Sequence, residues 1–286
     1  MRLANWNDYE LIDASSGEKL ERWGDIILIR PDPQIIWNTP KQHPLWKDAH
    51  AKYHRSSSGG GHWETLKDMP ETWEIKYQKL TFRLKMMGFK HTGIFPEQAT
   101  NWDFIADKIS KSSKKLKILN LFAYTGGATL AAAKAGAEVC HVDASRGMVT
   151  WARENAKSSS LENAPIRWLI DDCIKFVEKE KRRGNLYDGI IMDPPSYGRG
   201  PGGEVWKLES KLFSLLNTCS EILSTDAKVF ILNSYTTGLS PSVMEYLLGV
   251  TVAKGHGGLV SSSEIGLPVT TSGLVLPCGA TAIWQS

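Results

Sequence analysis

From about residue 113 to its end this chain keeps repeating one unit, an apolar run, a short turn and a helical stretch. Lys117–Phe122 (KILNLF) runs into Ala-Tyr-Thr-Gly-Gly and then into the alanine-rich stretch Ala128–Ala135. Glu138–Val142 (EVCHV) stops at Asp143, and Ser145 caps a helix to about Lys157. Ile166–Ile170 stops at Asp171-Asp172, ahead of a helix over Ile174–Lys181. Tyr187–Met192 (YDGIIM) stops at Asp193-Pro194-Pro195. A helix over Leu208–Leu223, a strand over Lys228–Leu232, a helix over Ser242–Ala253 and a β pair, Gly258–Ser263 with Ala280–Trp284, complete the series. Strands that alternate with helices in this way predict an α/β fold, a doubly wound, Rossmann-like parallel sheet.

The first part of the chain reads differently. Seven of the eleven tryptophans (Trp6, Trp23, Trp37, Trp46, Trp63, Trp73, Trp102) precede residue 112, as do five of the seven histidines. Asp25–Arg30 and Gln78–Leu84 have strand character, punctuated by Pro31, Pro33, Pro40 and Pro44, and Ser56–Gly61 (SSSGGG) reads as a flexible loop tip. Residues 1–88 are therefore expected to form a small β-rich module, with the α/β domain over 89–286. The early tryptophans pack that module or offer RNA a stacking surface, packing being the simpler reading.

Charge is nearly balanced, with 34 Lys and Arg against 31 Asp and Glu, so a polybasic coat protein is excluded and a local basic groove is not. Cys140, Cys173, Cys219 and Cys278 are scattered and form no CxxC pair, which suggests neither a zinc site nor a disulfide framework and points to a cytoplasmic protein. The N-terminal residues lack an apolar signal core, and the uncharged C-terminal stretch is broken by Pro268, Gly273, Pro277 and Gly279, so no membrane partner is expected. His50 and His54 are spaced to share a helix face, with His43 and His62 nearby. No cysteine or carboxylate pair completes a ligand set, and no metal is expected.

In a doubly wound sheet, ligands lie across the carboxyl ends of the strands at the switch point. The informative residues fall there. The turn Asn120–Gly127 (NLFAYTGG) allows close backbone approach through its glycines. Asp143 ends the second strand, where an acid can take both ribose hydroxyls, and Asp172 ends the third, where a carboxylate can accept from the adenine amine. Asp193 heads DPPSY after the fourth. Taken singly, the turn is an ordinary tight turn, Asp143 an ordinary helix cap and DPP an ordinary helix block. A loop and three acids at consecutive strand ends together indicate a nucleoside cofactor. Neither GxGxxG nor GxxxxGK[ST] is present, which excludes a standard dinucleotide site and a P-loop. The DPP turn, able to set carbonyls and a carboxylate beside a donor methyl, favours methyl transfer.

With NLFAYTGG, VDAS, DDC and DPPSYGRG in place, and KHTGIFPEQ over Lys90–Gln98 as a lead-in, residues 78–286 resemble the class I S-adenosylmethionine-dependent methyltransferases, in the family that includes the large-subunit ribosomal RNA cytosine-C5 and guanine-N7 enzymes. No segment resembles the PUA RNA-binding domain of many relatives. The resemblance implies S-adenosyl-L-methionine as cofactor, held on the ribose by Asp143 with Ala144 and Ser145 beside it. It implies adenine contacts from Asp171, Asp172 and the Cys173 amide. Asn120 and the loop Phe122, Ala123, Tyr124, Thr125 and Gly126 would surround the methionine part. Phe95 and Gln98 either cover the cofactor from the side or pack the lead-in against the sheet. Asp193, Pro194 and Pro195 would face the acceptor as the catalytic set, followed by Ser196. Tyr197 stacks on a base or simply packs, and Arg199 contacts phosphate or is solvated.

The same resemblance bears on the acceptor. Cytosine-C5 relatives carry a cysteine after the fifth strand, and this chain reads Leu232-Asn233-Ser234-Tyr235-Thr236 there. Pyrimidine C5 needs a thiolate adduct to become nucleophilic, so a nitrogen or oxygen acceptor is expected, on RNA and most readily on ribosomal RNA. The competing expectations are a methyltransferase of a small molecule or protein side chain, and an inactive RNA-binding scaffold. Intact acids at three strand ends argue against the scaffold.

Overall fold

The computed structural model describes residues 1–56, 60–199, 205–236 and 238–286, the Arg199 side chain excepted. Half of the SSSGGG loop-tip expectation, residues 57–59, lies outside the described residues; Ser56 N donates to Gly60 O across them. The chain forms two compact units. One comprises Leu3–Glu97 and Gly266–Cys278, the other Met1–Arg2, Gln98–Ile265 and Gly279–Ser286. The division thus falls at 97/98 instead of 88/89, and a segment near the C-terminus joins the N-terminal unit.

After a two-residue strand, β1 (Arg2–Leu3), the N-terminal unit builds a five-stranded sheet from β2 (Tyr9–Ser15), β3 (Glu18–Trp23), β4 (Ile26–Pro31), β5 (Ala51–Arg55) and β6 (Gly61–Thr65), in that order. Ser16 and Gly17, at φ 55 and 75, make the two-residue turn whose twist suits a β2–β3 hairpin. A separate ribbon pairs β7 (Trp73–Tyr77) with β8 (Leu80–Leu84). Ile12, Leu20, Ile27, Ile29 and Ala49 form an apolar core against Leu45 and Trp46. Four indole N–H groups are tied down, Trp6 to Pro96 O, Trp37 to Ala14 O, Trp46 to Asp13 Oδ2 and Trp63 to Met87 O, whereas those of Trp23 and Trp73 are buried with no hydrogen-bond partner among the described residues. Those contacts are packing staples. The His50–His54 stretch is a strand and its lead-in, not a helix, because β5 pairs with β6 over its whole length. The metal spacing imagined on a helix face therefore does not exist. His50 Nδ1 accepts from Ile27 N, and His54 Nε2 meets Glu64 Oε2 at 2.7 Å.

The second unit follows in the order α1 (Ala99–Ser110), β9 (Lys117–Leu121), α2 (Gly127–Lys134), β10 (Glu138–Asp143), α3 (Arg146–Ser158), β11 (Ile166–Ile170), α4 (Cys173–Arg183), β12 (Gly189–Met192), β13 (Tyr197–Arg199), β14 (Val205–Lys207), α5 (Leu208–Glu221), β15 (Val229–Ser234), α6 (Pro241–Leu248), α7 (Lys254–His256), β16 (Leu259–Pro268) and β17 (Val275–Gln285). The helix expected to run to Ala253 changes to a π turn at Gly249–Ala253. The sheet order is β1-β16-β17-β15-β12-β9-β10-β11. β9 to β12 and β15 are parallel, β17 runs antiparallel to β15, and the chain order reverses between β9 and β12. That reversal is the switch point.

Local signals explain the element ends. Ser145, Asp172 and Ser240 each accept from a backbone N–H three residues on, and Pro241 opens α6 where its missing N–H costs nothing. Gly184, left-handed at φ 67, closes α4. One face of the sheet buries Leu119, Leu121, Cys140, Val142, Ile190, Met192, Phe230 and Leu232 against α4 and α5. In register on the opposite face stand Asn120, His141 and Ile191, with Trp168 beyond His141.

Candidate functional site

The carboxyl ends of β9, β10 and β11 bring most of the expected cofactor residues together. Asp143, half-buried at the end of β10, accepts from Tyr124 N at 2.8 Å through Oδ2 and from Ser145 N at 2.8 Å through Oδ1. Burial pushes its carboxyl above the ordinary range, and the two amides oppose that. The helix cap here is Ser145, not Asp143: Ser145 Oγ accepts from Met148 N. Asp143 O accepts from Asp171 N, which ties the ends of β10 and β11 side by side.

Asp171 holds Lys179 at 2.7 Å, and Asp172 is the N-cap of α4, accepting from Lys175 N. Cys173 is buried. Its thiol accepts from Phe122 N at 3.3 Å, so it stitches α4 to the turn after β9.

That turn is strained. Phe122 and Tyr124 lie at φ 53 and 50, and Gly126 at φ 88, so three left-handed residues alternate with Ala123 and Thr125. Left-handed conformations cost non-glycine residues about 1–2 kcal/mol each, and such outliers persist where neighbours over-determine them. The neighbours are identifiable: Cys173 Sγ holds Phe122 N, Val142 O holds Ala123 N, Asp143 holds Tyr124 N and Asn155 Nδ2 holds Thr125 O.

Asn120 is placed differently from the loop it precedes. It is buried within β9, and its Nδ2 donates to Thr129 Oγ1 at 2.9 Å, which meets His141 Nδ1 at 2.9 Å. His141 is buried and neutral, its pKa pushed down to about 3 by burial and by the Arg153 charge. Its Nε2 has no hydrogen-bond partner among the described residues. This relay lies directly under the turn, since a Cβ on Gly126 would stand 3.7 Å from His141 Cε1.

On the other side of the switch point, Asp193 is half-buried and Pro194 buried, with Pro195 and Ser196 exposed. The Pro195 carbonyl accepts from Trp206 Nε1, which fixes the turn from beneath. Ser196 Oγ meets Thr236 Oγ1 at 2.6 Å, joining this turn to the segment after β15. Tyr197, 53% exposed, stands on the β13–β14 ribbon, and the Arg199 side chain lies outside the described residues, as does 200–204 of the glycine-rich segment. Gln98 and Asn101, at the start of α1, join Asn233 in a buried chain of amides that reaches the hydroxyl of the half-buried Tyr235. Phe95 belongs to the N-terminal unit, where its ring meets His91 edge-on.

Sequence reasoning missed Thr129, His141, Trp206 and Tyr235. His141 carried a readable signal, a polar residue within an otherwise apolar strand that lies inside a parallel sheet. Trp206 carried none, because its role depends on a ribbon that brings it back under the DPP turn.

Among the described residues no helix is long and apolar enough to cross a membrane, and no group of three or more His, Cys, Asp or Glu is arranged to hold a metal ion.

Comparison with known proteins gives the site its context. A solved methyltransferase from Agrobacterium tumefaciens, described as SAM-dependent, is 38% identical, with a TM-score of 0.94 over 99% of this chain and 92% of that one. SMU.776, solved with SAH, shares the fold at 18% identity, with a TM-score of 0.70 over 98% of this chain and 76% of that one. The ribosomal RNA large subunit methyltransferase K/L of Pseudoalteromonas atlantica is 25% identical over 82% of this chain and 35% of its own length. That of Shewanella loihica is 31% identical over 51% and 21%. The chain thus spans about a third or less of the length of these curated relatives. The profile of the S-adenosylmethionine-dependent methyltransferases matches residues 46–234, well over half the chain, and the chain belongs to that family.

Proposed function

We propose that this protein methylates RNA, with ribosomal RNA as the foremost substrate, at a nitrogen or oxygen atom, and that it does so in the cytosol. The observation that carries the choice of acceptor atom is the carboxyl end of β15. Ser234 occupies it, buried, with its Oγ accepting from Thr236 N. The cysteines offer no substitute. Cys140 and Cys219 are buried in the apolar core on the α4–α5 face, burial pushes the Cys140 thiol up to about 11, and the Cys173 thiol is committed to Phe122 N. Cys278 belongs to the N-terminal unit. A protonated, buried thiol adds poorly to a pyrimidine. The names of the K/L relatives support RNA as the substrate class.

The residues present fit the cofactor. A half-buried carboxylate at the end of β10 suits a diol, and the strained turn beside it lies at the same edge. In this reading Asp143, Ala144 and Ser145 hold the ribose, and Asp171, Asp172 and the Cys173 amide the adenine. The Phe122–Gly126 loop holds the methionine part, with Asn120 beneath it. Bound there, S-adenosylmethionine supplies a sulfonium-activated methyl group. Asp193 with Pro194 and Pro195 orients the acceptor lone pair in line with that methyl, and alignment is the protein's main contribution to such a displacement. Ser196, Tyr197 and Arg199 guide the base and its phosphate.

The test is transfer of labelled methyl groups to RNA and to large ribosomal subunits from a strain lacking the gene, followed by mass mapping of nucleosides. An N- or O-methylated nucleoside is expected. Label absent from both substrates would overturn RNA as acceptor. A 5-methylpyrimidine, or a denaturation-resistant adduct with RNA containing 5-fluorocytidine, would overturn the choice of atom.

A further inference from the structure

Four buried polar side chains are linked in one network whose outer member, Gln98, holds a tyrosine at the carboxyl edge of the sheet. Gln98 Nε2 donates to Tyr235 Oη at 2.9 Å. Asn101 Nδ2 donates to Gln98 Oε1 at 3.0 Å and to Asn233 Oδ1 at 2.9 Å, and Thr281 Oγ1 stands 3.5 Å from Asn101 Oδ1. Gln98, Asn101, Asn233 and Thr281 are 7%, 2%, 2% and 1% exposed, whereas Tyr235 is half-buried. Buried polar networks of this kind rigidify what they hold, and an apolar core would serve stability as well. The ring is also confined from behind, since a Cβ on Gly279 would stand 3.0 Å from its Cδ1 and Cε1.

The position of the held ring gives the network its meaning. Met192 pairs with Leu232 across β12 and β15; β12 ends there and Asp193 turns away, while β15 runs on through Asn233 and Ser234, paired with Thr281 and Ala280 of β17, so that Tyr235 is the first residue past its end. The Ser196–Thr236 hydroxyl contact closes the same two segments beyond Tyr235. Tyr235 therefore stands beside the DPP turn, on the side of the switch point away from Asp143.

We infer that Tyr235 is a specificity-determining residue of the acceptor site, its ring forming a wall against which the planar base to be methylated is seated. Gln98 is a positioning residue that acts through Tyr235, and Asn101, Asn233 and Thr281 fix Gln98. This assignment rests on the reading of the acceptor as an RNA base. It gives Gln98 a different part from the one the lead-in suggested, because both ends of its amide are engaged within the relay.

The experiment compares Tyr235→Ala, Tyr235→Phe, Gln98→Ala and the Gln98→Ala/Tyr235→Phe double variant. Methyl transfer to RNA and to large ribosomal subunits from the deletion strain is measured, and S-adenosylhomocysteine binding is followed by calorimetry. Base–aromatic stacking predicts that Tyr235→Ala lowers acceptor kcat/KM about tenfold or more, chiefly through KM. Tyr235→Phe keeps the ring and loses its anchor, for a loss of roughly two- to tenfold. Gln98→Ala gives the same loss, and the double variant is no worse than either single, because both remove one link. S-adenosylhomocysteine affinity stays within about twofold throughout, which also shows that the variants are folded. Gly279→Ala, whose methyl would press on the ring and equally on the Ser234 carbonyl, is a second route to the same loss should Tyr235→Ala fail to fold. Wild-type transfer with undiminished kcat/KM in Tyr235→Ala overturns the inference and leaves the RNA reading intact. Weakened S-adenosylhomocysteine binding in Gln98→Ala alone also overturns it. No wild-type transfer to either substrate overturns the RNA reading, and the inference falls with it.

Discussion

Asp143 does two jobs at the residue scale. In the protein alone its carboxylate holds the amides of Tyr124 and Ser145, and burial makes its charge costly. A diol donor would relieve that cost. Removing charge-assisted hydrogen bonds worth about 1.5–3 kcal/mol should weaken binding roughly 10- to 100-fold. Calorimetry of Asp143→Ala with S-adenosylhomocysteine is expected to show that loss, and unchanged affinity in a folded variant would remove Asp143 from the cofactor site. Asp193 should behave oppositely. It follows β12 across the switch point, so Asp193→Ala is expected to lower turnover on the RNA acceptor while leaving S-adenosylhomocysteine affinity nearly intact. Normal turnover in that variant would place the acceptor elsewhere.

At the scale of elements, the strained turn depends on how closely α1 and α2 approach. Gly127 opens α2, and a Cβ there would lie 2.4 Å from Cζ2 of the buried Trp102 indole on α1. The glycine is needed for space, because its φ is not in the left-handed region. Overpacking of this kind costs about 1–3 kcal/mol. Gly127→Ala should therefore lower the thermal midpoint of the α/β unit, read by helical circular dichroism because α1 to α7 all belong to that unit. An unchanged midpoint would mean that the indole yields freely. Gly126 is a different case. Its left-handed φ of 88 and the Ala152 methyl 3.1 Å from a built Cβ both oppose a side chain, so the two glycines of TGG are required for different reasons.

Across the whole molecule, each unit carries buried groups that make it acid-sensitive. In the N-terminal unit burial alone would push the Glu21 carboxyl up. The Arg30 guanidinium, Lys19 and hydrogen bonds from Arg30 and Tyr9 outweigh it and hold the pKa at about 2. The Arg30 pair is bidentate, at 2.6 and 2.7 Å. A lowered carboxylate pKa contributes stability that is present above about pH 4.5 and lost as pH falls towards 2. His91, lowered to about 4 by burial and then by Arg30, Lys90 and Lys19, and His141, lowered to about 3, stay neutral in the fold while the unfolded chain takes up protons below its ordinary value of 6.5. Their contribution is complete above pH 6.5 and declines below it. Both units are thus expected to lose stability from pH 6.5 downward, with Glu21 adding to the loss in the N-terminal unit below 4.5. Urea titrations at stepped pH check this, and a flat stability between pH 6.5 and 4 would show that the histidines are hydrated. Glu21→Ala leaves the Arg30 charge buried and unpaired, a change that costs about 3–5 kcal/mol in comparable cores.

The sequence by itself determined the alternation of strands and helices, the strand ends and the acids standing on them. Those features depend on local periodicity and on turn chemistry within a few residues. Ile166–Ile170 is found as read, and the other α/β strand runs are displaced by only a few residues at their ends, β16 and β17 apart. The helix at Ala99–Ser110 went unread, because its polar opening turn masks the spacing of Trp102, Ile105 and Ile109. Only the tertiary structure decided which polar side chains at those strand ends reach outward. Asn120 turned into the Thr129–His141 relay, Cys173 turned its thiol on Phe122, and Gln98 joined Tyr235, which lies 137 residues further along the chain. Likewise Thr270 and Thr271 meet Glu10 and Asp13, so Gly266–Cys278 belongs to the N-terminal unit. Periodicity records which face a residue occupies; which distant atom satisfies a buried donor depends on packing, and no local pattern carries that information.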